Sequence, residues 1–409
     1  MKTFKRCVSL VLVSLLLSSC ALSEDWLSAL FGNVNGPRLS FVAVPDEAFT
    51  SENGRVLAAT ADGQYAVILS KRCPYIWSMN EQKRIQLSFE SEEDLAELNL
   101  RADTSALMSA PTGESKEQRE KRQEELVRKK QAYLQEKGIE MFMCFEDAVE
   151  CYGGVVGVDA AADCIAQRYA IFTASRFGVR FLCDMRTGRC RLIYDTFTTL
   201  CEDRLLTDRG IESIETGESH IPSYEQIDGE KLSLASQPNA IRLLKDDSVL
   251  LLFPGSEIKR ESFSRETYLF DVAPGWTRAL DLGEFPLTME PRTLTLTWNE
   301  RYAAAHYLSP YVAGDTVILD RESGEVKPIG ADELMLFAST EDSFICYDLK
   351  KFTLVLLNPE TLERSSLSVS GYPSGGPLPL TVVSSVVGNG EGKYFVQREL
   401  VRGYFELVQ

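Results

Sequence analysis

Arg168-Tyr169-Ala170-Ile171-Phe172, followed fifteen residues after Tyr169 by Asp184-Met185-Arg186-Thr187-Gly188, decides how this chain is read. An apolar run led by an aromatic residue gives way to a turn that begins with an acid and ends on glycine. The carboxylate accepts N–H groups of the turn, and the glycine takes the left-handed conformation that closes a hairpin. The same unit recurs. Tyr65 to Leu69 follows Asp62-Gly63, Val249 to Phe253 follows Asp246-Asp247, Tyr302 to Ala305 follows Asn299-Glu300, Phe344 to Tyr347 follows Glu341-Asp342, and Tyr394 to Val396 follows Glu391-Gly392. The closing turns are Asp271 to Gly275, Asp320 to Gly324 and, without its glycine, Asn358-Pro359-Glu360-Thr361-Leu362; the first unit carries Ser78 where the acid belongs. From lead residue to turn the spacings are 13, 15, 22, 18 and 14 residues. An apolar stretch precedes each polar turn (Arg55 to Ala59, Leu334 to Ala338), and another follows each hairpin (Lys83 to Leu87, Cys190 to Tyr194). One unit therefore holds four short strands.

Repeated four-stranded units are the pattern of a β-propeller. The chain resembles the YVTN, WD-repeat and quinoprotein-type propellers, which use an Asp-x-x-Thr-Gly turn between their outer strands. The resemblance spans residues 37–409 outside two insertions, but the Gly-His and Trp-Asp dipeptides of true WD repeats and the Asp box of sialidases are missing. It implies an all-β body of about six four-stranded blades, or seven if 139–160 supplies the strands of another. The sixth unit starts at Tyr394 and runs out of chain before its fourth strand, while Leu39 to Val44 is an apolar strand left over before the first unit. That strand is expected to pair with Arg402 to Val408 and close the last blade, removing two exposed edges.

The two insertions are 89–150 and 197–236. In the first, Glu114 to Lys137 reads as a charged helix: Ser115 and Gln118 have capping-box spacing, Gly138 is a stop, and Glu117–Lys121, Glu124–Arg128 and Glu125–Lys129 are i,i+4 pairs. Its apolar residues (Leu126, Val127, Tyr133, Leu134) come late, so its C-terminal half should dock, as a prop or as a partner-binding arm. The second insertion is polar, contains His220, and reads as a loop over one face of the ring.

The N-terminus is an address. Lys2, Lys5 and Arg6 precede an apolar run from Val8 to Leu17, then Leu17-Ser18-Ser19-Cys20. This is the layout of an export signal, and its last four residues resemble the bacterial lipobox. The resemblance implies a signal peptide over 1–19, lipid attachment at Cys20 and a tether over 20–36. Two or more acyl chains make a stable anchor. Trp26, Leu30 and Phe31 in the tether either pack on the domain or dip into the membrane interface. The implied location is the cell membrane or outer membrane of a bacterium, facing away from the cytoplasm.

Lys plus Arg total 43 against 60 Asp plus Glu, a net charge of −17, which argues against a nucleic-acid partner. Beyond the N-terminus no apolar run of about 20 residues could span a bilayer. The only histidines are His220 and His306, the latter in an apolar strand where packing accounts for it. There is no His-Glu-x-x-His, Gly-x-Ser-x-Gly or Cys-x-x-Cys, and Gly388 to Gly392 leads into a strand instead of a phosphate-binding helix. Neither catalytic residues, metal ligands nor a cofactor are assigned. Six cysteines crowd into 144–201; Cys183 and Cys190 flank a hairpin turn at a spacing that sets them opposite each other, and are candidates for a disulfide or a pair of thiols. The sequence thus reads as a lipid-anchored, non-catalytic binding or scaffold propeller, with an envelope protein or glycan as partner. The alternative is a propeller enzyme, a glycan-active hydrolase or lactonase, with carboxylates at the central channel.

Overall fold

The computed structural model describes residues 36–50, 54–60, 62–109, 113–153, 160–166, 168–195, 198–207, 209–221, 240–259, 264–273, 276–286, 294–307, 316–330, 333–351, 353–370, 394–395 and 402–408. Residues 1–35, which include the expected signal peptide, Cys20 and nearly all of the expected tether, lie outside these residues, as does the glycine run at 388–392.

The strands form seven sheets, the seven blades of a β-propeller. Blade 1 is Arg55–Ala59, Tyr65–Ser70, Cys73–Ser78 and Lys83–Ile85. Blade 2 is Ala160–Ile165, Tyr169–Ala174, Val179–Asp184 and Arg189–Ile193, with Ser88–Phe89 added in parallel at its outer edge. Blade 3 is Thr199–Cys201, Arg204–Thr207, Gly210–Ser213 and Ser219–His220. Blade 4 runs from Ala240 to Pro286, blade 5 from Leu294 to Ile329 and blade 6 from Leu334 to Ser366. Blade 7 is ordered Ser368–Ser370, Arg38–Ala43, Gly403–Val408, Tyr394–Phe395.

The blade count corrects the leading expectation of six, and the source of the seventh differs from the one foreseen. Residues 139–143 form no strand and Phe145–Tyr152 is a helix. The added blade is 199–220, inside the segment read as a loop. Its strands have two to four residues and none holds more than two apolar residues in a row, so they present no continuous apolar run. Its closing turn nevertheless follows the rule of the others. Ser213 Oγ accepts the Thr216 N–H at 3.4 Å, the Gly217 N–H donates to the Ser213 carbonyl at 2.8 Å, and Gly217 has φ +71°.

The core lies between blades. Seven separate hydrophobic layers occur, one at each junction around the ring. Leu206 and Ile211 of blade 3 pack on Ile241, Leu251 and Val272 of blade 4. The layer that joins last to first unites Val44, Ala48 and Tyr404 with Val56, Ile68 and Trp77. A blade is covered on both faces, which is why strands such as Cys73–Ser78 and Thr316–Asp320 are buried throughout.

Closure by the N-terminal strand is as expected. Arg38–Ala43 runs antiparallel to Gly403–Val408 in unbroken register from Arg38↔Val408 to Ala43↔Gly403, extended by the Val44 N–H to the Arg402 carbonyl at 2.9 Å. It is not an edge strand: Ser368–Ser370 pairs in parallel with its other side.

The helical insertion between blades 1 and 2 holds three helices where one was foreseen. The first, Glu92–Met108, is N-capped by Ser91 and buries Leu95, Leu98, Ala102 and Ala106 at helical spacing. The charged helix, Lys116–Lys137, has the complete Ser115/Gln118 capping box and ends on left-handed Gly138. None of its residues is buried; Leu126, Tyr133 and Leu134 are half-buried against the core, so it docks by its later turns. Arg122 binds the carbonyls of Ala106 and Leu107 at 3.1 and 2.8 Å, completing the C-terminus of the first helix. The short helix, Phe145–Tyr152, buries Phe145, Ala148, Cys151 and Tyr152. Among the described residues no helix is long and apolar enough to cross a membrane.

Candidate functional site

In a blade of four alternating strands, the turn after the first strand and the turn after the third emerge at the same end. That end of the ring carries the closing turns, and it carries arginines to match. Arg168 stands just before Tyr169 and forks onto the turn acid of its own blade: Nε to Asp184 Oδ1 at 3.1 Å and Nη2 to Oδ2 at 2.7 Å. Arg301 repeats this before Tyr302, with Asp320 at 3.4 and 3.0 Å. Each guanidinium also lies over the tyrosine that follows it, 5.0 and 4.9 Å from the ring centroid. Arg204 pairs with Asp247 and with the Leu244 carbonyl, and Arg321 reaches back one blade to hold Asp271 at 3.0 and 3.1 Å.

These pairs set the charge states. Burial works to raise the Asp184 carboxyl, but the Arg168 guanidinium and the Arg186 and Thr187 donors outweigh it and hold it below the ordinary carboxylate range. Burial likewise opposes ionisation of Asp320, and Arg301 with the Ser323 and Glu322 N–H groups outweighs it. Asp271 is fully buried, and there burial prevails over Arg321 and pushes the carboxyl up.

Two clefts open between neighbouring blades at this end. The first, about 510 Å³, lies between blades 2 and 3 under the start of the first helix. Tyr169, Leu182 and Cys190 contribute its apolar lining, beside three arginines, Arg168, Arg189 and Arg191, and four carboxylates, Glu90, Asp94, Asp184 and Glu215. Asp94 is buried and fixes the helix to the blade by accepting from Leu192 N and Tyr194 Oη, both at 3.2 Å. Arg189 pairs with Glu90 at 3.0 Å, and Arg168 reaches Glu215 of blade 3 at 2.6 Å. The second cleft, about 520 Å³ between blades 4 and 5, is lined by Asp246, Glu300 and Glu322 with Arg278, Arg301 and Arg321. Burial raises the Glu300 carboxyl.

Cys183 and Cys190, singled out as possible disulfide partners, are directly opposite in register, both buried and both thiols. Cys346 is a buried mid-strand thiol. His306 is buried with its Nε2 2.6 Å from Thr297 Oγ1, the packed histidine foreseen. His220 is exposed, 3.2 Å from Asp247. Among the described residues no three of His, Cys, Asp and Glu gather to hold a metal ion. The Arg–carboxylate pairs and the clefts were not read from the sequence. Their signal was present in the Arg-Tyr dipeptides at 168–169 and 301–302, each followed by a turn acid at the end of the next strand.

No known protein family matches the chain, and no curated protein does. Solved structures similar to it include a chain of the mitotic checkpoint complex, at 7% identity and TM-score 0.41, covering 88% of this chain and 90% of that one. The extracellular domain of a putative one-component system from B. thetaiotaomicron is similar at 11% identity and TM-score 0.39, covering 91% of this chain and 40% of that one. PorZ, a surface component of the type-IX secretion system of Porphyromonas gingivalis, is similar at 11% identity and TM-score 0.38, with 86% and 36% covered. At these values the likeness carries no functional argument.

Proposed function

We propose that the chain is a lipid-anchored binding or scaffold module of a bacterial envelope. Residues 1–19 direct export, Cys20 carries the lipid, and the ring presents its charged turns to an envelope protein. The observation that carries the binding half of this reading is the cleft between blades 2 and 3, where opposed charges surround an apolar floor. Such a lining favours a segment of mixed charge that can exchange partners with the arginines and carboxylates, and penalises a ligand of one sign. It holds no histidine, and burial keeps the Cys190 thiol protonated. The anchoring half rests on the lipobox-like Leu17-Ser18-Ser19-Cys20. Residues 21–35 would let the ring stand up to about 50 Å from the lipid if fully extended.

The strands that open blades 1 to 6 also favour binding. In a propeller such strands line the channel, and Asp163 is the only Asp, Glu or His among the described ones. One observation favours the alternative of a hydrolase: Glu300, with its raised pKa, faces a cleft that Asp246 also lines. Turnover of a glycan or lactone that Glu300→Gln abolishes would establish it.

The test places a photo-crosslinking residue in cells at Arg189, in the cleft, and separately at Lys71, in the hairpin at the opposite end of blade 1. A defined envelope protein captured from position 189 and not from 71, with loss of membrane fractionation and of the acyl mass in Cys20→Ser, is the expected result. Equal capture from both positions, or an unchanged mass and fractionation in Cys20→Ser, overturns the reading.

A further inference from the structure

The turn geometry fixes a property of Cys183 and Cys190 that register alone does not. In blade 5 the Asp320 N–H donates to the Glu325 carbonyl at 2.9 Å and the Gly324 N–H returns to Asp320 at 2.8 Å. In blade 6 the Asn358 N–H donates to Glu363 at 3.0 Å and the Leu362 N–H returns to Asn358 at 2.8 Å. The turn residue is thus hydrogen-bonded to the residue five positions on. The next pair outward, one residue before the turn acid and six after it, is a pair without hydrogen bonds. Leu319↔Val326 and Leu357↔Arg364 hold those places in blades 5 and 6. Blade 2 closes in the same way, with the Gly188 N–H on the Asp184 carbonyl at 2.9 Å, and its corresponding pair is Cys183↔Cys190.

A pair of this kind brings its Cα atoms to about 4.5 Å and its side chains closer than the hydrogen-bonded kind. A disulfide takes Cα separations of about 4.4–6.8 Å. The two thiols are packed together in the layer between blades 1 and 2, Cys183 without exposure and Cys190 at 7% on the lining of the cleft. We infer that Cys183 and Cys190 form a dithiol–disulfide couple that, once oxidised, locks the blade 2 hairpin beneath the cleft.

The chemistry balances with an external disulfide, R–S–S–R, as oxidant. The Cys190 thiolate attacks one sulfur, forming a mixed disulfide and releasing RS⁻, which takes up the proton lost by Cys190. The Cys183 thiolate then attacks Cys190 Sγ, closes the protein disulfide and releases the second RS⁻, which is protonated in turn. Two electrons and two protons pass from the pair to the oxidant, giving two RSH. Burial raises the Cys190 thiol well above its ordinary value, so the folded protein supplies little thiolate and reacts slowly. Oxidation is fast when the hairpin opens or while it folds. The bond then spans the loop that bears Asp184, the partner of Arg168, and Arg186, which faces Asp62 of blade 1 at 3.8 Å. This inference is independent of what occupies the cleft.

The experiment refolds the protein in oxidised glutathione or in dithiothreitol, blocks free thiols by alkylation and digests without reduction. Trypsin cuts after Arg186 and Arg189, so a Cys183–Cys190 bond is read as two joined peptides that separate on reduction. The expected result is that linked pair, a rise of a few degrees in Tm for the oxidised form, and loss of that rise in Cys183→Leu/Cys190→Val, which installs the blade 5 residues and keeps the hairpin packed. Alkylation of both cysteines after oxidative refolding overturns the inference. So does oxidation that joins either to Cys201, that links Cys73 to Cys144 instead, or that leaves the Tm difference intact in the double variant.

Discussion

Phe41 and Phe405 face each other across the two ends of the described chain, paired in register with ring centroids 5.4 Å apart and planes inclined at 63°. This contact belongs to the layer between blades 6 and 7, the cluster that also holds Met335, Phe337 and Leu354. The ring is therefore held shut by side chains as well as by the strand ladder. Phe41→Ala should cost about 2 kcal/mol. Deleting 37–45 removes the whole strand, exposes the edges of Gly403–Val408 and Ser368–Ser370, and should give a markedly lower Tm with aggregation on heating. Deleting 21–30 should leave the melt unchanged. A thermal melt of the three proteins decides, and a wild-type transition for the longer deletion would refute closure by this strand.

Backbone handedness at the closing turns gives predictions of opposite sign. The position four residues after the turn residue is left-handed in five blades: Gln82 at φ +50°, Gly188 at +78°, Gly217 at +71°, Gly324 at +75° and Leu362 at +59°. At Gly188 an added Cβ would also stand 2.3 Å from the Gln86 carbonyl oxygen. Gly188→Ala should therefore destabilise by more than the 1–2 kcal/mol of the conformation alone. Gln82 is exposed, so Gln82→Gly removes strain without losing a buried contact and should stabilise by up to about 1 kcal/mol. Denaturant midpoints of the two variants, moving in opposite directions, would confirm the rule.

That rule also explains what could be read in advance. Blades whose strands are long and apolar, such as Val249 to Phe253 or Phe344 to Tyr347, announce themselves by composition, and the leftover strand at Leu39 to Val44 pointed to the closure. Blade 3 did not, because Thr199–Cys201 and Ser219–His220 are too short and polar to show a period of two. Its Ser213-x-x-Thr216-Gly217 was the legible part, since Ser78 already shows that serine can replace the acid. The first helix was missed because Leu95, Leu98, Ala102 and Ala106 make a narrow stripe among acids. The clefts depend on which turns become neighbours around the ring, which no local spacing encodes.

The lowered carboxyls predict the acid limb of the stability curve. Asp184 and Asp320 both have folded pKa values below their unfolded ones. Each contributes stability that is fully present above the unfolded value near 4, and that is lost as pH falls through the lower folded value. Arg168→Met removes the principal partner of Asp184 and should cost about 1–3 kcal/mol at pH 7. It should also flatten the dependence of stability on pH below 4, because Asp184 then protonates more nearly as it does when unfolded. Urea unfolding between pH 2.5 and 7 checks both, and an unchanged acid slope would mean that the fork does not set the charge of Asp184.

Arg321 and Asp271 predict the opposite sign. Asp271 is fully buried in blade 4 and Arg321, 7% exposed in blade 5, is its bidentate partner. Burial already raises this carboxyl despite the guanidinium. Removing one partner of a buried pair leaves the other charge uncompensated, at a cost of about 3–5 kcal/mol, so Arg321→Met should be strongly destabilised at pH 7.5. Without Arg321 the carboxyl rises further, and its penalty applies only where it is ionised. Acidification toward pH 5 shifts it toward the protonated form in the folded state ahead of the unfolded chain, whose ordinary value lies near 4. The folded state then binds more protons than the unfolded one, so the variant should gain stability relative to wild type as pH falls. Arg321→Met/Asp271→Asn should recover part of the loss at pH 7.5 and show no such gain. Measured by thermal melts at pH 7.5 and 5, a Tm gap between Arg321→Met and wild type that stays constant would show that Asp271 does not carry the charge through which the two blades are joined.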